Sequence, residues 1–580
     1  MRRKLCAQHK PESWLTYLPA MAAAVLCLMM VLQPSSSRAD TAAPAGTAAT
    51  MATAAVTAPT PDSSLLPARV MKAAYARVSA GEYPMLVIGV VDGDKSRLYG
   101  FNAAGDPAPN ADTVFEIGSI TKTFTGLALA EAVKAGKLAL DEPVAKLLPR
   151  FKIPSRGGKT ITLGNLADQH SGLPRLPGNL EPWKNPANPY AGYDAQKLKS
   201  FLGRYELPRD PGSAYEYSNL GFGLLGYALA QRVGVSYGTL IKNKILDPLH
   251  MKLCGVAIDR TMRAHLAAGH DETGQPARNW NLDVLAGAGG MKCSASDMLR
   301  YLKANMGAVK TPLYPAMQLA HKARAAGPGA NRVGLGWLTL GAGDKKVVWH
   351  NGMTGGYASF IGFTADGEHG VFVLANIQQS VDDLGLATLL PDAELSPVQT
   401  AISMSARQLD AYTGYYQIAP RFLLVVFRDD DQLYAQATGQ GAFPIYPSSK
   451  DEFFAKVGDI SMTFTHNKSG KVDGLMLHQH GDTPAARVNA ATAAKAVGKV
   501  LVPLKPAALR DYTGRYKFAT GNTMAITRKG GQLYARLSGQ LALPIYPSMK
   551  DHFFYILVKA NILNSTRKCN TWEIEVSEVR

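Results

Sequence analysis

Residues Val114 to Val133 read VFEIGSITKTFTGLALAEAV, and one serine and one lysine at the start of this otherwise apolar run decide how the rest of the chain is read. The run predicts a helix, and residues three apart on a helix share a face, so Ser119 and Lys122 stand side by side at its first turn. Free backbone N–H groups and the helix dipole favour developing negative charge there. A serine hydroxyl is a weak nucleophile at neutral pH and needs a base within hydrogen-bond reach. Lys122 supplies one if its apolar surroundings make the neutral amine accessible. Gly118 leaves room for a substrate to approach. The plainer alternative for Ser119 taken alone is a helix cap.

Two other stretches change that balance. PGSAYEYSNLGFGLLGYAL presents Tyr217-Ser218-Asn219 on a loop just before a second helix. Ser218 or Asn219 can cap that helix, while a phenol near an ammonium ionises more easily and can shuttle protons. The Asn219 amide can hold a substrate carbonyl. Later, a strand ends in His350-Asn351-Gly352 and runs into Met353-Thr354-Gly355-Gly356, where glycines let a substrate backbone lie alongside.

The 580 residues, 46% of them hydrophobic, suffice for two or three globular units. Residues 1–39 read as a secretory signal: basic Arg2, Arg3 and Lys4, an apolar run from Leu18 to Leu32, and a small-residue exit at Ser37-Arg38-Ala39 with cleavage expected after Ala39. That run, interrupted by Pro19, is short against the roughly 20 residues of a spanning helix, so no stable membrane span is expected once the signal is removed. Residues 40–63, rich in Ala, Thr and Pro, read as a disordered linker. The signal contains five basic residues and one acidic residue, and the net charge of +17 falls to +13 without it. The basic residues are scattered, which argues against a nucleic-acid partner. Of five cysteines, Cys254, Cys293 and Cys569 remain after the signal, with no visible disulfide framework.

Organisation along the chain predicts an α/β (α+β) fold. LVIGVVDGDKSRLYGF reads as a hairpin, and KVVWH, YASFIGF and GVFVLAN as three late strands of the same antiparallel sheet. The mostly helical stretch between them forms flanking helices and a helical subdomain, so that residues 64–400 make one catalytic domain. Beyond residue 400 a repeat of period 100 appears: Tyr412, Gly414, Tyr416, Leu433, Tyr434, Pro444 and Tyr446 recur as Tyr512, Gly514, Tyr516, Leu533, Tyr534, Pro544 and Tyr546. Short alternating runs predict two small β-barrels, at 404–490 and 504–580. The copies diverge after Phe554, so the second barrel is expected to be truncated, with an exposed edge.

Order and spacing of Ser119-x-x-Lys122, Tyr217-Ser218-Asn219 and the strand ending in Gly352 resemble the serine β-lactamase and penicillin-binding protein superfamily. The likeness is to its class C-like branch, with D-alanyl-D-alanine carboxypeptidases, D-aminopeptidases and esterases. It extends over roughly residues 65–400, through GKLALDEPVAKLLP, ITLGNLADQHSGLP, AGAGGMKCSASDM and HNGMTGGYASFIGF. The resemblance implies that Ser119 is the acylated nucleophile, Lys122 its base, Tyr217 the proton shuttle to the leaving group and Asn219 a substrate contact. His350, Gly352 and Met353 line the substrate, with the Ser119 and Met353 backbone N–H groups as oxyanion hole. It implies a small peptide or ester substrate, cell-wall fragments among the candidates, and no cofactor.

Two departures stand out. His350-Asn351-Gly352 replaces the usual Lys-Thr-Gly or Lys-Ser-Gly, and a histidine largely neutral at pH 7 offers no permanent charge to a substrate carboxylate, which disfavours penicillin hydrolysis. Gln169-His170 stands where relatives commonly have His-Thr. Lys468-Ser469-Gly470 lies at a hairpin turn in the first repeat and reads as a decoy. His478-Gln479-His480 reads as a solvated strand face rather than a metal site, and AGAGG at 286–290 lacks the ending of a phosphate loop. The expected function is an exported acyl-serine hydrolase, foremost a peptidase of D-amino-acid-containing or peptidoglycan-derived substrates. A carboxylesterase or weak β-lactamase is the alternative within the family, and a non-catalytic sensor or binding protein the alternative outside it.

Overall fold

A computed structural model describes residues 65–578 apart from 103–107, 183–184, 399, 439–441, 457–459, 480–481, 503, 506, 518–522, 538–540, 550–551, 557–559 and 569–570. The expected signal and linker, and Cys569, lie outside the described residues.

The predicted hairpin and three late strands do share one antiparallel sheet. Its spatial order is Lys95–Asn102, Met85–Asp92, His369–Ala375, Ala358–Thr364, Val347–Met353, Leu338–Leu340, Arg332–Val333 and Ala325–Ala326. Alternation along Met85–Asp92 sends its side chains to two cores. Leu86, Ile88 and Val90 pack with Val70 and Ala74 of helix Ala68–Ser79 and Leu384 of helix Asp382–Leu389. Val87 and Val91 join the larger core beneath helices Thr121–Lys134, Asn219–Val233 and Ala295–Met306.

Helix Thr121–Lys134 is buried from Thr121 through Ala130, because its apolar and small residues run round all faces. Gly126 lets it approach the segment before Leu338–Leu340: a Cβ there would lie 2.0 Å from the Leu335 carbonyl oxygen. Helix Asn219–Val233 is capped by Ser218, whose side chain accepts from Gly221 N–H, and ends at Gly234 with φ 78°. Its Gly223 and Gly226 abut Leu285 and Gly287, which seats the AGAGG segment against both helices.

Cys254 and Cys293 are partners across strands Cys254–Gly255 and Lys292–Ser294 and are joined as a disulfide. The sequence showed no such framework, because 39 residues separate the pair and only the fold brings them together.

Residues Gly414 to Val488 close as an eight-stranded antiparallel barrel around Tyr416, Leu424, Phe453 and Phe464. The second copy has seven strands, from Gly514–Lys517 to Thr571–Glu578. Its divergent tail supplies the last two, Ala560–Lys568 and Thr571–Glu578, and among the described residues no ladder joins first to last. The repeat is physical: Tyr416 donates to the Tyr412 carbonyl at 2.6 Å and Tyr516 to the Tyr512 carbonyl at 2.5 Å. Gln432 and Gln532 each donate at 2.8 Å to the carbonyls of Leu433 and Ile445, or Leu533 and Ile545. Lys468-Ser469-Gly470 lies in the turn between strands Ile460–His466 and Val472–His478 of the first barrel, far along the chain from the sheet.

Gly126→Ala is expected to destabilise the protein by about 1–3 kcal/mol, because the added methyl overpacks against Leu335. A lower urea midpoint at unchanged m-value checks this; an unchanged midpoint contradicts the packing described.

Candidate active site

Ser119 sits in a short 3-10 turn, Gly118–Ile120, that leads into helix Thr121–Lys134. It does not cap the helix, whose N-cap is Ile120 and carries no side-chain bond, so the plainer reading of Ser119 fails. Gly118, at φ 47°, faces the Met353 backbone: a Cβ on it would lie 2.6 Å from Met353 N. A Cβ on Gly352 would lie 2.9 Å from Ser119 N, so both glycines are required where the Val347–Met353 strand meets the serine turn. Ser359 pins that junction by donating to the Ile117 carbonyl at 2.9 Å.

Met353 pairs with Ala358, and Thr354 N–H bonds the Tyr357 carbonyl at 2.9 Å. Hydrogen-bonded and non-hydrogen-bonded pairs alternate along an antiparallel ladder. Met353 N–H therefore points away from Ala358, towards the serine turn.

Lys122 is completely buried. Its Nζ donates to Ser119 Oγ at 2.9 Å, Asn219 Oδ1 at 2.8 Å and the Ala288 carbonyl at 2.6 Å. Tyr217 donates to Ser119 Oγ at 2.7 Å, and its ring lies 4.7 Å from Lys122 Nζ and 5.0 Å from the Arg175 guanidinium carbon. Asn219 Nδ2 in turn donates to Tyr190 at 3.2 Å. The serine, the amine, the phenol and the amide, predicted from separate stretches, thus share one hydrogen-bonded cluster. With Ser119 Oγ accepting from both neighbours, its own proton is free to move once either of them gives one up.

His350 is also buried, with its Nδ1 at 2.6 Å from the Asn351 carbonyl. Burial, helped by the charge of Lys122, pushes its pKa down to about 3, so the ring is neutral at pH 7 and gives no charge to a carboxylate. The Asn351 side chain donates to Asp382 at 2.6 Å.

Several contributors carry no sequence signal of their own. The Ala288 carbonyl acts through the backbone. Trp280 lies against Gly355 and Tyr190, held by buried Glu116, which accepts from Trp280 N–H at 3.0 Å, and by Lys292, which donates to the Trp280 carbonyl at 3.0 Å. Glu116 and Lys292 are 3.8 Å apart; burial raises the carboxyl and lowers the amine. Gln169, noted only as a departure, accepts from Ser218 N–H at 2.8 Å.

A family model described as Beta-lactamase matches residues 69–394, more than half of the chain. The chain belongs to the beta-lactamase family. It is a serine hydrolase. A second model, Domain of unknown function (DUF3471), matches residues 398–490. A "Beta-lactamase" of Pseudomonas fluorescens is 27% identical over 329 residues, covering 50% of this chain and 88% of that protein. The "D-alanyl-D-alanine-carboxypeptidase/endopeptidase AmpH" of Escherichia coli (strain K12) is 28% identical, covering 52% and 83%. "Protein flp" of Staphylococcus aureus (strain MRSA252) is 30% identical over 277 residues, covering 46% and 53%, so the chain spans about half the length of that relative. A solved class C beta-lactamase from Rhodobacter sphaeroides is 25% identical at a TM-score of 0.48, covering 56% and 98%.

A histidine whose folded pKa is depressed to about 3 stays neutral while the unfolded chain protonates near 6.5. Its contribution to stability is therefore full above about pH 6.5 and is lost as pH falls towards 3, at about 1.4 kcal/mol per unit. His350→Gln should reduce the stability lost between pH 7 and pH 5 by about 2 kcal/mol, measured by urea unfolding at both values. An equal loss in both proteins contradicts a neutral buried ring.

Proposed function

We propose that the chain hydrolyses an amide or ester through an acyl-enzyme on Ser119, and that its substrates are D-amino-acid-containing or peptidoglycan-derived peptides. The observation that carries this reading is that Ser119 Oγ lies within hydrogen-bond reach of Lys122 Nζ and Tyr217 OH at once. With Lys122 in its neutral amine form, Oγ attacks the carbonyl carbon and its proton passes to Nζ, from which Tyr217 is reprotonated after it has served the leaving group. The tetrahedral oxyanion is received by Ser119 and Met353 N–H groups, each such donor being worth about 2.7–4 kcal/mol. Tyr217 protonates the departing nitrogen or oxygen as its bond to carbon breaks. Water then attacks the ester and the protons run back, releasing acid and free Ser119.

The substrate class is supported by two facts. The neutral His350 leaves no fixed cation at the position where penicillin-active relatives carry lysine, which favours substrates with no free carboxylate there, and one relative is named a D-alanyl-D-alanine carboxypeptidase/endopeptidase, which favours D-amino-acid peptides. Asn219, held between Lys122 and Tyr190, is the proposed amide contact to substrate. Export is the proposed route to such substrates, carried by residues 1–39, with 40–63 as tether. Among the described residues no helix is long and apolar enough to cross a membrane.

Purified protein assayed on a D-aminoacyl p-nitroanilide, a D-Ala-D-Ala peptide, a short-chain ester and a chromogenic cephalosporin should turn over an uncharged amide or ester faster than the cephalosporin. Ser119→Ala should lower kcat about 10⁴-fold or more. Unchanged turnover in the variant contradicts the nucleophile, and cephalosporin as the best substrate contradicts the substrate class.

A further inference from the structure

Tyr217 is gripped from both sides by one residue. Gln169 accepts Glu216 N–H at its backbone carbonyl and Ser218 N–H at its side-chain Oε1, each at 2.8 Å. The residues on either side of Tyr217 are thereby fixed through their backbone N–H groups, and its side chain extends to Ser119. Gln169 is itself buried and takes a left-handed backbone, φ 65°, a conformation that a residue other than glycine adopts only where its surroundings hold it. Its neighbours do so: His170 Nδ1 bonds the Asp168 carbonyl at 2.7 Å and the His170 carbonyl accepts Gly212 N–H at 2.7 Å. Beyond the clamp, Ser218 Oγ donates to the Pro174 carbonyl at 2.6 Å and accepts Gly221 N–H at 2.8 Å.

We propose that Gln169 is a positioning residue for the reaction: its amide oxygen and its carbonyl set the loop that carries Tyr217, and so fix how well the phenol delivers a proton to the leaving group. The inference rests on the acyl-serine reading above. It concerns one step, in which the bond from the tetrahedral carbon to the leaving oxygen or nitrogen breaks, the electron pair goes to that atom, and the Tyr217 proton follows it. A leaving group stable as an anion needs no such proton. A displaced phenol should therefore slow substrates with poor leaving groups selectively, whereas a general loss of structure would slow all of them alike.

The test compares p-nitrophenyl and methyl esters of one acyl group in the full-length protein. Gln169→Met keeps the length and removes the acceptor, and Gln169→Glu keeps an oxygen at the same place. In the methionine variant kcat/KM on the methyl ester is expected to fall between about tenfold and about a hundredfold. On the p-nitrophenyl ester it should fall less than about threefold, and the glutamate variant should recover the methyl ester. If the methionine variant does not fold, Gln169→Gly, which suits the left-handed backbone, carries the same comparison. Equal losses on both esters, or no loss on either, overturn the positioning role and leave the hydrolase reading standing. A wild type inactive on both esters and on the amides and peptide of the panel above overturns both.

Discussion

A fully buried amine determines the architecture around the site. Taking the Lys122 ammonium out of water costs several kcal/mol unless its protons are satisfied, and three acceptors do so: Ser119 Oγ, Asn219 Oδ1 and the Ala288 carbonyl. These belong to three segments, the Gly118–Ile120 turn, the start of helix Asn219–Val233 and the 283–288 turn, so the lysine is accommodated only when all three have come together. The glycines follow from the same demand. Gly223 and Gly226 let the 283–288 turn approach helix Asn219–Val233, and Gly118 and Gly352 let the strand approach the serine.

The same convergence makes the site chemical rather than merely structural. Two of the three groups around Lys122, Ser119 and Asn219, are side chains. The other neighbour of Ser119, Tyr217, is supported from behind by Gln169 and lies beside Arg175. The hydroxyl is thus surrounded by groups held in place by their own partners, which is what rapid proton transfer in a preorganised site needs.

Much of this was legible in the sequence because it is carried by side-chain type and spacing. Ser119 and Lys122 lie one helical turn apart, and Tyr217-Ser218-Asn219 falls at a helix start, where Ser218 does cap the helix. The hairpin and the three late strands showed themselves by alternation and turn residues. The rest was not legible because it resides in the backbone or in tertiary proximity. The Ala288 carbonyl has no residue signature, Gln169 acts through a backbone conformation, the Cys254–Cys293 bridge joins distant strands, and the three short edge strands from Ala325 to Leu340 are too brief for periodicity to register. The fate of the second barrel depended on a tail with no repeat to compare it with, yet that tail pairs as two long strands.

Phosphonylation followed by tryptic peptide mapping tests the central claim most directly, since a fluorophosphonate transfers its phosphorus to the most activated hydroxyl. The account predicts a single adduct on the peptide from Leu98 to Lys122, fragmenting to Ser119. Modification at another serine, or none at all in the folded protein, would contradict an activated Ser119.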